Sequence, residues 1–336
     1  MDFTAFFQEM KNHIDPLYLM DGEEEFIKQR AVQQLISTLL DPSLAQMNQT
    51  TLVNPLADDV INACETLPFL AERRLVWVQD WALLQGRAKD EANEVQKMLD
   101  YLPRLPASTC LLLTLHGKAD GRKKLVQELQ ARNCVHTFDT MDETECVRWL
   151  KSTARKIGSS INDRDAAYLC YRSGRDAALL NGELAKLAAY AGEGQPITRQ
   201  QIDEIATPSI ECTVFEMVDA LVAGKADEAF SLYRNLILTG SERLGILAMI
   251  QRQYRIMLQV KTMKAAGAND GAIRGALSIS SYGITKTARQ AGSYGMKKLR
   301  DIINMLVETE YLAKSGQINQ DGCCEMVMLK LLNGQA

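Results

Sequence analysis

The chain has 336 residues, 46% of them hydrophobic and 24% charged, a composition typical of folded proteins rather than of disordered or fibrous ones. At this length we expect two or three domains, each with its own hydrophobic core. The formal net charge is −4, from 38 basic and 42 acidic side chains, which excludes the overall cationic field that drives autonomous binding to the DNA backbone.

The first 140 or so residues alternate apolar, β-rich runs with helical patterns. The runs at 17–20, 50–53, 75–78, 110–115 and 134–136 predict strands, several of them apolar throughout, as strands covered on both faces are. Helical patterns occupy 24–40, 58–66, 90–102 and 122–130. Because strand and helix alternate, residues 1–140 are predicted to form an α/β domain around a mainly parallel sheet.

After about residue 140 the strand signal ends and helix starts follow one another. Thr140 and Glu143 have the spacing of a capping box, in which a hydroxyl and a carboxylate each bind an orphan backbone N–H, and Thr198 and Gln201 repeat it. Asn162 is a further candidate cap. Residues 141–209 are therefore predicted to form a small helical domain.

Residues 210–336 carry a series of apolar faces at helical spacing, which predicts a bundle of about five helices. The stretch from Ala265 to Gly295 is richer in Gly, Ser and Ala, and its elements are left unassigned. The residues of the five faces are Val214, Met217, Val218 and Leu221; Ala229, Tyr233 and Leu236; Ile246, Ile250, Tyr254 and Met257; Leu299, Ile302, Ile303 and Leu306; and Val327, Leu331 and Leu332.

The eight cysteines are scattered along the chain, apart from the adjacent Cys323 and Cys324. Most of them lie in apolar runs, where a free thiol behaves as a small hydrophobe, so we expect reduced cysteines in a reducing cytosol. The N-terminal segment lacks a basic region followed by an apolar stretch, and no window approaches the roughly 20 apolar residues of a membrane span. We therefore expect a cytoplasmic chain.

A parallel α/β domain followed by a small helical one raises the question of nucleotide hydrolysis. The phosphate-binding loop Gly-x4-Gly-Lys-Ser/Thr, whose backbone N–H groups and lysine hold phosphates, is absent from the sequence. The turn after the first strand instead carries Glu23, Glu24 and Glu25, which repel anions. No apolar strand ends in Asp-Glu to hold magnesium, so the sequence predicts a degenerate nucleotide site.

Other catalytic groupings are also absent from the sequence. The histidines, His13, His116 and His136, are far apart, and no group of His or Cys has the spacing of zinc ligands. A structural or solvent-exposed role is favoured for each of them. Adjacent residues on a helix point about 100° apart, so Cys323 and Cys324 are interpreted as two helix positions rather than a redox pair. We expect no catalytic site, cofactor or metal in this chain.

One turn combines large apolar residues with a helix breaker. The helical pattern of 58–66 runs into Leu67, Pro68, Phe69 and Leu70, immediately before the third predicted strand. Pro68 disfavours helix at the preceding residue, so the apolar side chains fall at a helix-to-strand turn. They either anchor the loop in the core, which chemistry alone slightly favours, or project outward as anchors for a partner's pocket.

Three segments resemble the bacterial DNA polymerase III clamp-loader delta subunit family, and the similarity extends over essentially the whole chain. Residues 17–24 read LYLMDGEE, residues 65–76 read ETLPFLAERRLV, and residues 179–187 read LLNGELAKL, ahead of Tyr190-Ala191-Gly192. Each motif alone is moderately specific. Their order and spacing together make the resemblance strong.

The resemblance implies an AAA+-like (P-loop-type) α/β domain that has lost nucleotide binding in residues 1–140, an all-helical lid in 141–209, and an all-helical collar in 210–336. The collar of such a subunit joins a circular five-subunit assembly with tau/gamma and delta prime subunits. Members bind the sliding clamp (beta) and help to open its ring, meet primed DNA only within the assembled loader, and have no membrane partner. Membership also connects the chain with DNA-directed DNA polymerase (nucleotidyltransferase) activity, which belongs to the whole holoenzyme.

In the family, an exposed apolar pair at the end of a helix enters a hydrophobic pocket on the clamp, and here the pair falls on Phe69 and Leu70, with Leu67 and Glu65 as flanking contacts. The common form of the motif begins with Gln and has Leu before Phe, so the register of the two anchors stays open. The Ser-Arg-Cys trigger motif of the hydrolysing subunits is absent, and no arginine finger is expected from this chain.

Two other functions remain open: a divergent but active AAA+ ATPase, and a helical scaffold that docks an unrelated partner through the same turn. Direct DNA contact is expected to be modest and to depend on the assembled ring. Its candidates are Lys297, Lys298 and Arg300, with Arg73-Arg74 and 122–124 as further basic groups, although a solvated face is the favoured interpretation of each.

Overall fold

The computed structural model describes residues 3–86, 91–277 and 279–334, and in residues 3–5 and 11 it describes the backbone only. The chain divides into two compact units, Met1–Glu145 and Cys146–Ala336. The finer prediction of a lid in 141–209 and a collar in 210–336 stays a prediction. The first unit is built on a sheet and the second is almost entirely helical, which confirms the predicted fold class.

A parallel sheet forms the centre of the first unit. Its strands, within the described residues, are β1 (Leu17–Asp21), β2 (Gln49–Val53), β3 (Arg74–Gln79), β4 (Thr109–Thr114) and β5 (Val135–Thr137), in the order β2-β3-β4-β1-β5. Each one overlaps a strand predicted from its apolar run. All five residues of β1 are buried, as expected for a strand next to the centre of a sheet covered on both faces.

Helices connect the strands on both faces of the sheet. They are α1 (Phe3–Asn12), α2 (Glu25–Leu39), α3 (Ala45–Asn48), α4 (Ala57–Glu65), α5 (Glu91–Tyr101) and α6 (Lys124–Ala131), with a 3-10 turn at Leu102–Arg104. The sequence predicted α2, α4, α5 and α6, although position 90 of the predicted 90–102 helix lies outside the described residues. It missed α1 and the four-residue α3.

One face of the sheet forms a continuous core with α4, α5 and α6. Val76 and Val78 of β3 and Leu111 and Leu113 of β4 contribute to this core. Side chains alternate between the faces of a strand, so Trp77 of β3 and Thr114 of β4 lie on the other face, where α2 packs. Because of this alternation, Trp77 and Thr114 line a cavity on the α2 face of the sheet.

The helix α7 (Glu143–Lys156) begins at a different cap from the one predicted. Asp142 Oδ1 accepts a hydrogen bond from the backbone N–H of Glu145 (2.8 Å), and Glu145 Oε2 accepts one from the backbone N–H of Asp142 (3.0 Å). The capping box is therefore Asp142 with Glu145, and the predicted pair Thr140 with Glu143 is wrong. Asp is at least as good an N-cap as Thr, so both assignments fitted the sequence.

The first helices of the second unit follow the sequence closely. They are α8 (Asp163–Ser173), α9 (Ala177–Ala191) and α10 (Arg199–Ile205), and a short parallel pair, β6 (Ser160–Ile161) with β7 (Pro196–Ile197), joins the loops before α8 and α10. Asn162 caps α8, and Thr198 forms a capping box with Gln201 at α10, as predicted. No pattern in the sequence predicted the two-residue strands.

The described residues beyond 209 form seven helices where the apolar faces predicted about five. They are α11 (Ile210–Val222), α12 (Ala226–Leu238), α13 (Arg243–Ala265), α14 (Asp270–Leu277), α15 (Ser281–Gly292), α16 (Met296–Lys314) and α17 (Cys323–Leu332). The additional two, α14 and α15, occupy the unassigned stretch, where Gly and Ser weaken the apolar pattern. Their residues Ile273 and Ile284 form a small core together with Ile256 and Val260 of α13.

All eight cysteines are free and buried, which confirms their interpretation as small hydrophobes. Cys323 and Cys324 lie within the main core of the helical bundle. Within the described ranges, none of the helices has the length and hydropathy required to cross a membrane.

Candidate functional site

The turn between α4 and β3 presents apolar side chains to solvent. Leu67 is 80% exposed, Leu70 is 79% exposed and Phe69 is 49% exposed. The helix ends at Glu65 because Pro68 disfavours helical geometry in the residue before it. The interpretation of these side chains as anchors in the domain core is therefore wrong, and the three form one exposed apolar group, here called the apolar turn.

A buried asparagine fixes the backbone at the centre of the apolar turn. Asn48, at the end of α3, is 1% exposed. Its Oδ1 accepts a hydrogen bond from the backbone N–H of Phe69 (2.7 Å), and its Nδ2 donates one to the Phe69 carbonyl (2.9 Å). The Asn48 amide thus binds both the N–H and the carbonyl of Phe69, the same two groups that a neighbouring strand would bind in a sheet. Phe69 is thus held in place while its ring remains half-exposed.

Two arginines fasten the ends of the same turn. Arg74, 5% exposed, donates from Nη1 to the Thr66 carbonyl (3.1 Å) and from Nη2 to Thr50 Oγ1 (2.6 Å). Arg73 donates from Nη1 to the Ile14 carbonyl (2.9 Å). Guanidinium groups with several donors suit this role because they join separate segments in a fixed geometry. The two side chains therefore have a structural role in this turn, and their contact with DNA stays a prediction.

Leu70 combines exposure with an unfavourable backbone conformation. Its φ angle is +49°, in the left-handed region. For a residue with a Cβ this region costs roughly 1–2 kcal/mol. Strain of this kind persists only where the surroundings determine the backbone, and it is enriched at functional sites. The hydrogen bonds between Asn48 and the backbone of Phe69, immediately before Leu70, provide such surroundings.

Glu65 lies at the last position of α4 and binds a neighbouring helix. Its Oε1 accepts a hydrogen bond from the Tyr101 hydroxyl (2.8 Å). Burial and this carboxylate together raise the pKa of Tyr101 above its usual value. Glu65 therefore connects α4 with α5, and its predicted role as a flanking contact for the clamp stays a prediction.

The turn after β1, where a phosphate-binding loop would lie, is filled by a lysine of the chain itself. Lys28 of α2 is 3% exposed. Its Nζ donates to the Gly22 carbonyl (3.0 Å), to Glu25 Oε1 (2.5 Å) and to the Leu115 carbonyl. An ammonium group has three donors, so all of them are occupied within the protein. No donor of Lys28 remains for an added phosphate.

Backbone segments crowd the same turn from the other side. The Gly22 N–H donates to the Gly117 carbonyl (2.7 Å), and the Glu24 N–H donates to the Phe138 carbonyl (2.8 Å). A Cβ on Gly22, whose φ is +107°, would lie 2.2 Å from the Phe138 oxygen. Only glycine fits here. The N–H groups that a phosphate loop would present are therefore bound to the chain's own carbonyls.

The candidate DNA-contacting residues lie at the beginning of α16. Lys297 and Arg300 are exposed, while Lys298 is half-buried and donates from Nζ to the Gly334 carbonyl (2.7 Å). Cations in the first turn add to the positive end of the helix dipole. This end of α16 is thus electropositive, which is compatible with a phosphate backbone nearby, and DNA contact stays a prediction.

No cluster of His, Cys, Asp and Glu within the described ranges has the geometry to hold a metal ion. The three histidines contact different side chains. His13 pairs with Asp15, His136 contacts the rings of Phe6 and Tyr18, and His116 lies between Glu25 and Asp80.

Comparison with known proteins places these features in one family. A family model described as "DNA polymerase III, delta subunit" matches residues 18–139, and a second, "DNA polymerase III delta subunit, C-terminal domain", matches residues 211–331. DNA polymerase III subunit delta of Bacillus subtilis is 26% identical over 338 residues, covering 99% of this chain and 97% of the relative. That of Escherichia coli is 23% identical over 254 residues, covering 74% and 71%.

The solved structure of the Bacillus subtilis DNA clamp loader delta protein aligns over 98% of this chain and 99% of its own, with a TM-score of 0.64 and 25% identity. The fold is therefore that of a clamp-loader subunit, with a sheet-based first unit and a helical second one. On the two family models and this alignment, the chain belongs to the DNA polymerase III delta subunit family.

Sequence reasoning missed the residues that support the apolar turn and the turn after β1. Asn48 and Lys28 each bind a segment distant in the chain, 21 and 87 residues away. No pattern within a short window of sequence predicts such contacts. The one available signal for Lys28 was a charged residue at a position of α2 that its apolar periodicity places in the core.

Proposed function

We propose that this delta subunit binds the sliding clamp through the apolar turn and helps to open the clamp ring. The supporting observation is the combination of three exposed apolar side chains, Leu67, Phe69 and Leu70, with a backbone that buried polar side chains hold in place. Anchors that are already ordered lose little conformational entropy on binding, so more of the contact energy appears as affinity.

The size and chemistry of the turn suit a pocket on a protein partner. Aromatic and aliphatic anchors that enter a desolvated pocket dominate the affinity of many interfaces. Phe69 and Leu70 are adjacent but differ in shape, so the two need separate subpockets. Leu67 and Glu65 lie on the helix side of the pair and flank the contact in the proposed complex.

Opening follows from differential binding. A ligand shifts a conformational equilibrium only by the difference between its affinities for the two states. In the proposed mechanism the apolar turn binds a clamp with a strained or open subunit interface more tightly than a closed one. Neighbouring loader subunits, by binding ATP, control whether the turn is presented to the clamp.

The chain is proposed to act without binding or hydrolysing ATP itself. The donors that would hold phosphates are already used, since Lys28 binds Gly22, Glu25 and Leu115, and the nearby backbone N–H groups bind internal carbonyls. Equilibrium dialysis with labelled ATP and magnesium tests this proposal. Saturable binding by the isolated chain would instead support the alternative of a divergent active ATPase.

The partners within the loader are proposed to be the tau/gamma and delta prime subunits, contacted through residues 210–336. Primed DNA is proposed to contact the chain only in that assembly, near Lys297 and Arg300. Replacing both by alanine is expected to reduce the salt dependence of DNA binding by the assembled loader, because each phosphate contact contributes to the slope. An unchanged slope would remove α16 from the DNA-binding surface.

The decisive test of clamp binding is the double substitution Phe69→Ala, Leu70→Ala. Two anchors at about 2 kcal/mol each lower the affinity for purified clamp by several hundred-fold or more. Affinity is measured by surface plasmon resonance with the full-length chain. Leu238→Ala, another highly exposed leucine (76%) on α12, is the matched control and is expected to bind the clamp normally.

Unchanged affinity in a double variant with a native circular dichroism spectrum would remove the apolar turn from the interface. A wild-type chain that fails to bind purified clamp would favour the remaining alternative, a helical scaffold for an unrelated partner. One experiment distinguishes the two outcomes. Binding of the wild-type chain tests whether the protein binds the clamp, and binding of the variant tests whether it does so through the apolar turn.

A further inference from the structure

A cavity of about 360 Å³ lies on the α2 face of the sheet, away from the apolar turn. Its base consists of Trp77 on β3 with Val32 and Ile36 on α2, and its rim is polar. This volume is in the range of pockets that hold small ligands or a single large side chain. The clamp-binding function proposed above makes no use of it.

Two carboxylates face each other across the rim, with an imidazole between them. His116 Nδ1 lies 3.2 Å from Glu25 Oε1, and His116 Nε2 lies 3.7 Å from Asp80 Oδ2. The imidazole side chain is 71% exposed, so solvent or a ligand can replace it without disturbing the core. A planar group with a nitrogen at each side therefore fits between Glu25 and Asp80.

The charge at the cavity favours a cation. Its charged lining residues, apart from His116, are Glu25, Asp80 and Lys28, two carboxylates against one ammonium. The ammonium is buried and already bound by three acceptors. One negative charge at the rim thus remains to be balanced.

The aromatic residue of the base adds a preference for planar cations. Trp77 is half-buried and lines the cavity, and its Nε1 donates to Thr114 Oγ1 (2.9 Å), which fixes the orientation of the indole. Guanidinium groups stack on tryptophan and bind carboxylates through two parallel hydrogen bonds, whereas an ammonium group does neither as well. The apolar residues beside the indole suit the aliphatic stem of an arginine.

We propose that this cavity binds a guanidinium group on an aliphatic stem, as in an arginine side chain of another protein, with the guanidinium in the place of the His116 imidazole. The group pairs with Glu25 and Asp80 and stacks against Trp77. The proposal is independent of clamp binding, because none of these residues belongs to the apolar turn.

The test is a titration of the full-length chain with N-acetyl-L-arginine amide, followed by tryptophan fluorescence and by calorimetry. Trp81 and Trp149 are buried, so Trp77 is the indole that a cavity ligand reaches, and Trp77→Phe assigns the signal. The uncharged isostere N-acetyl-L-citrulline amide is expected to give no saturable response. Free L-arginine, whose α-carboxylate the acidic rim repels, is expected to bind more weakly than the blocked amide, and the reverse order would identify a small arginine-like molecule as the ligand.

Two variants test the geometry. Asp80→Asn is expected to lower the affinity about five-fold, the effect of losing one partly exposed ion pair. Asparagine tolerates the positive φ of +48° at this position, so the variant is expected to fold. His116→Ala is expected to raise the affinity, because it removes the imidazole that lies between Glu25 and Asp80.

An equal response to the citrulline analogue, or unchanged affinity in folded Asp80→Asn, would overturn the proposal. So would weaker binding by His116→Ala, since that result would make the imidazole part of the binding surface. The Phe69→Ala, Leu70→Ala chain serves as a further control. It is expected to bind the arginine amide as the wild type does, which separates this site from the clamp-binding one.

Discussion

Leu70 is the residue at which stability and the proposed function oppose each other. The side chain is almost fully exposed and contributes little to the core, while its backbone has a φ of +49° that leucine disfavours. A sequence selected for stability alone would place Gly or Asn at this position. The retention of a large apolar residue is explained if that side chain binds a partner.

Leu70→Asn is therefore expected to leave the free energy of unfolding unchanged or to raise it by up to about 1 kcal/mol, because asparagine tolerates the left-handed region. Affinity for the clamp is expected to fall at the same time. Chemical denaturation and a clamp-binding assay on the same preparation measure both quantities. A clear loss of stability together with unchanged clamp affinity would contradict this account of Leu70.

Lys28 is a buried charged residue with a structural role. Its ammonium is buried with two carbonyls and one carboxylate around it. If one member of such a buried group is removed, its partners stay buried without a hydrogen bond. The resulting loss of folding free energy exceeds the net stabilisation that the intact group provides. The lysine thus stabilises the turn after β1 in a conformation in which its own three donors are occupied within the protein.

The change Lys28→Met keeps the length of the side chain and removes its charge. We expect it to lower the free energy of unfolding by about 3 kcal/mol, measured by urea denaturation. Lys314→Met, at an exposed lysine of α16, is the control and is expected to have an effect within about 0.5 kcal/mol. Equal effects of the two substitutions would show that Lys28 is not a structural cation.

At the start of α7, two residues have the spacing of a capping box, but the observed cap is at only one of them. Thr140 and Asp142 both precede an acidic residue by three positions, and it is Asp142 that accepts a hydrogen bond from the Glu145 N–H and donates one to the Glu145 side chain. Spacing alone does not choose between overlapping boxes. The choice depends on where the chain leaves β5 and where the apolar face of α7 must point.

The substitution Asp142→Ala is expected to lower the free energy of unfolding by about 1 kcal/mol, the usual contribution of an N-cap. Thr140→Ala, at an exposed residue two positions earlier, is expected to change it by less than about 0.5 kcal/mol. Thermal or chemical unfolding of both variants provides the comparison. The opposite order of effects would restore the original prediction for Thr140.

Strands and long helices were predictable because their signals are local. The apolar runs of β1, β3 and β4 and the regular faces of α11, α13 and α16 are visible within single windows of sequence. Four elements of the second unit, α14, α15, β6 and β7, were not. The helices α14 and α15 contain Gly and Ser within their apolar pattern, and the two-residue strands β6 and β7 are held by their contact with each other.

For the whole molecule, burial of every cysteine has a chemical consequence. Burial raises the pKa of the Cys64, Cys110 and Cys212 thiols to about 12. The thiolate is the reactive form, so a raised pKa leaves very little of it near pH 8. The native chain is expected to react slowly with Ellman's reagent, and all eight thiols are expected to react rapidly in guanidinium chloride. Rapid reaction of the native chain would contradict this burial.

The position of the candidate site in the sequence was predictable, but the exposure of its side chains was not. The resemblance and Pro68 together located an apolar group at the α4–β3 turn, and the order Phe69 then Leu70 left its register open. Whether these side chains lie in the core or in solvent depends on Asn48, Arg73 and Arg74, which reach the turn from elsewhere in the fold. Exposure is a property of the packed domain, so no window of sequence contains it.

Sequence patterns were enough to establish that an α/β region precedes a helical one, because apolar periodicities extend over only a few turns of chain. They also established the absence of the phosphate-binding loop, because that motif depends on residue types alone. The family followed from the resemblance of three motifs. Packing of the whole unit was needed to bury Lys28 in the turn after β1, to expose the apolar turn, and to bring Glu25 and Asp80 to one cavity. Each of these depends on side chains from distant segments meeting at distances of a few ångströms. Such meetings result from packing the whole unit around its sheet, which local preferences do not encode.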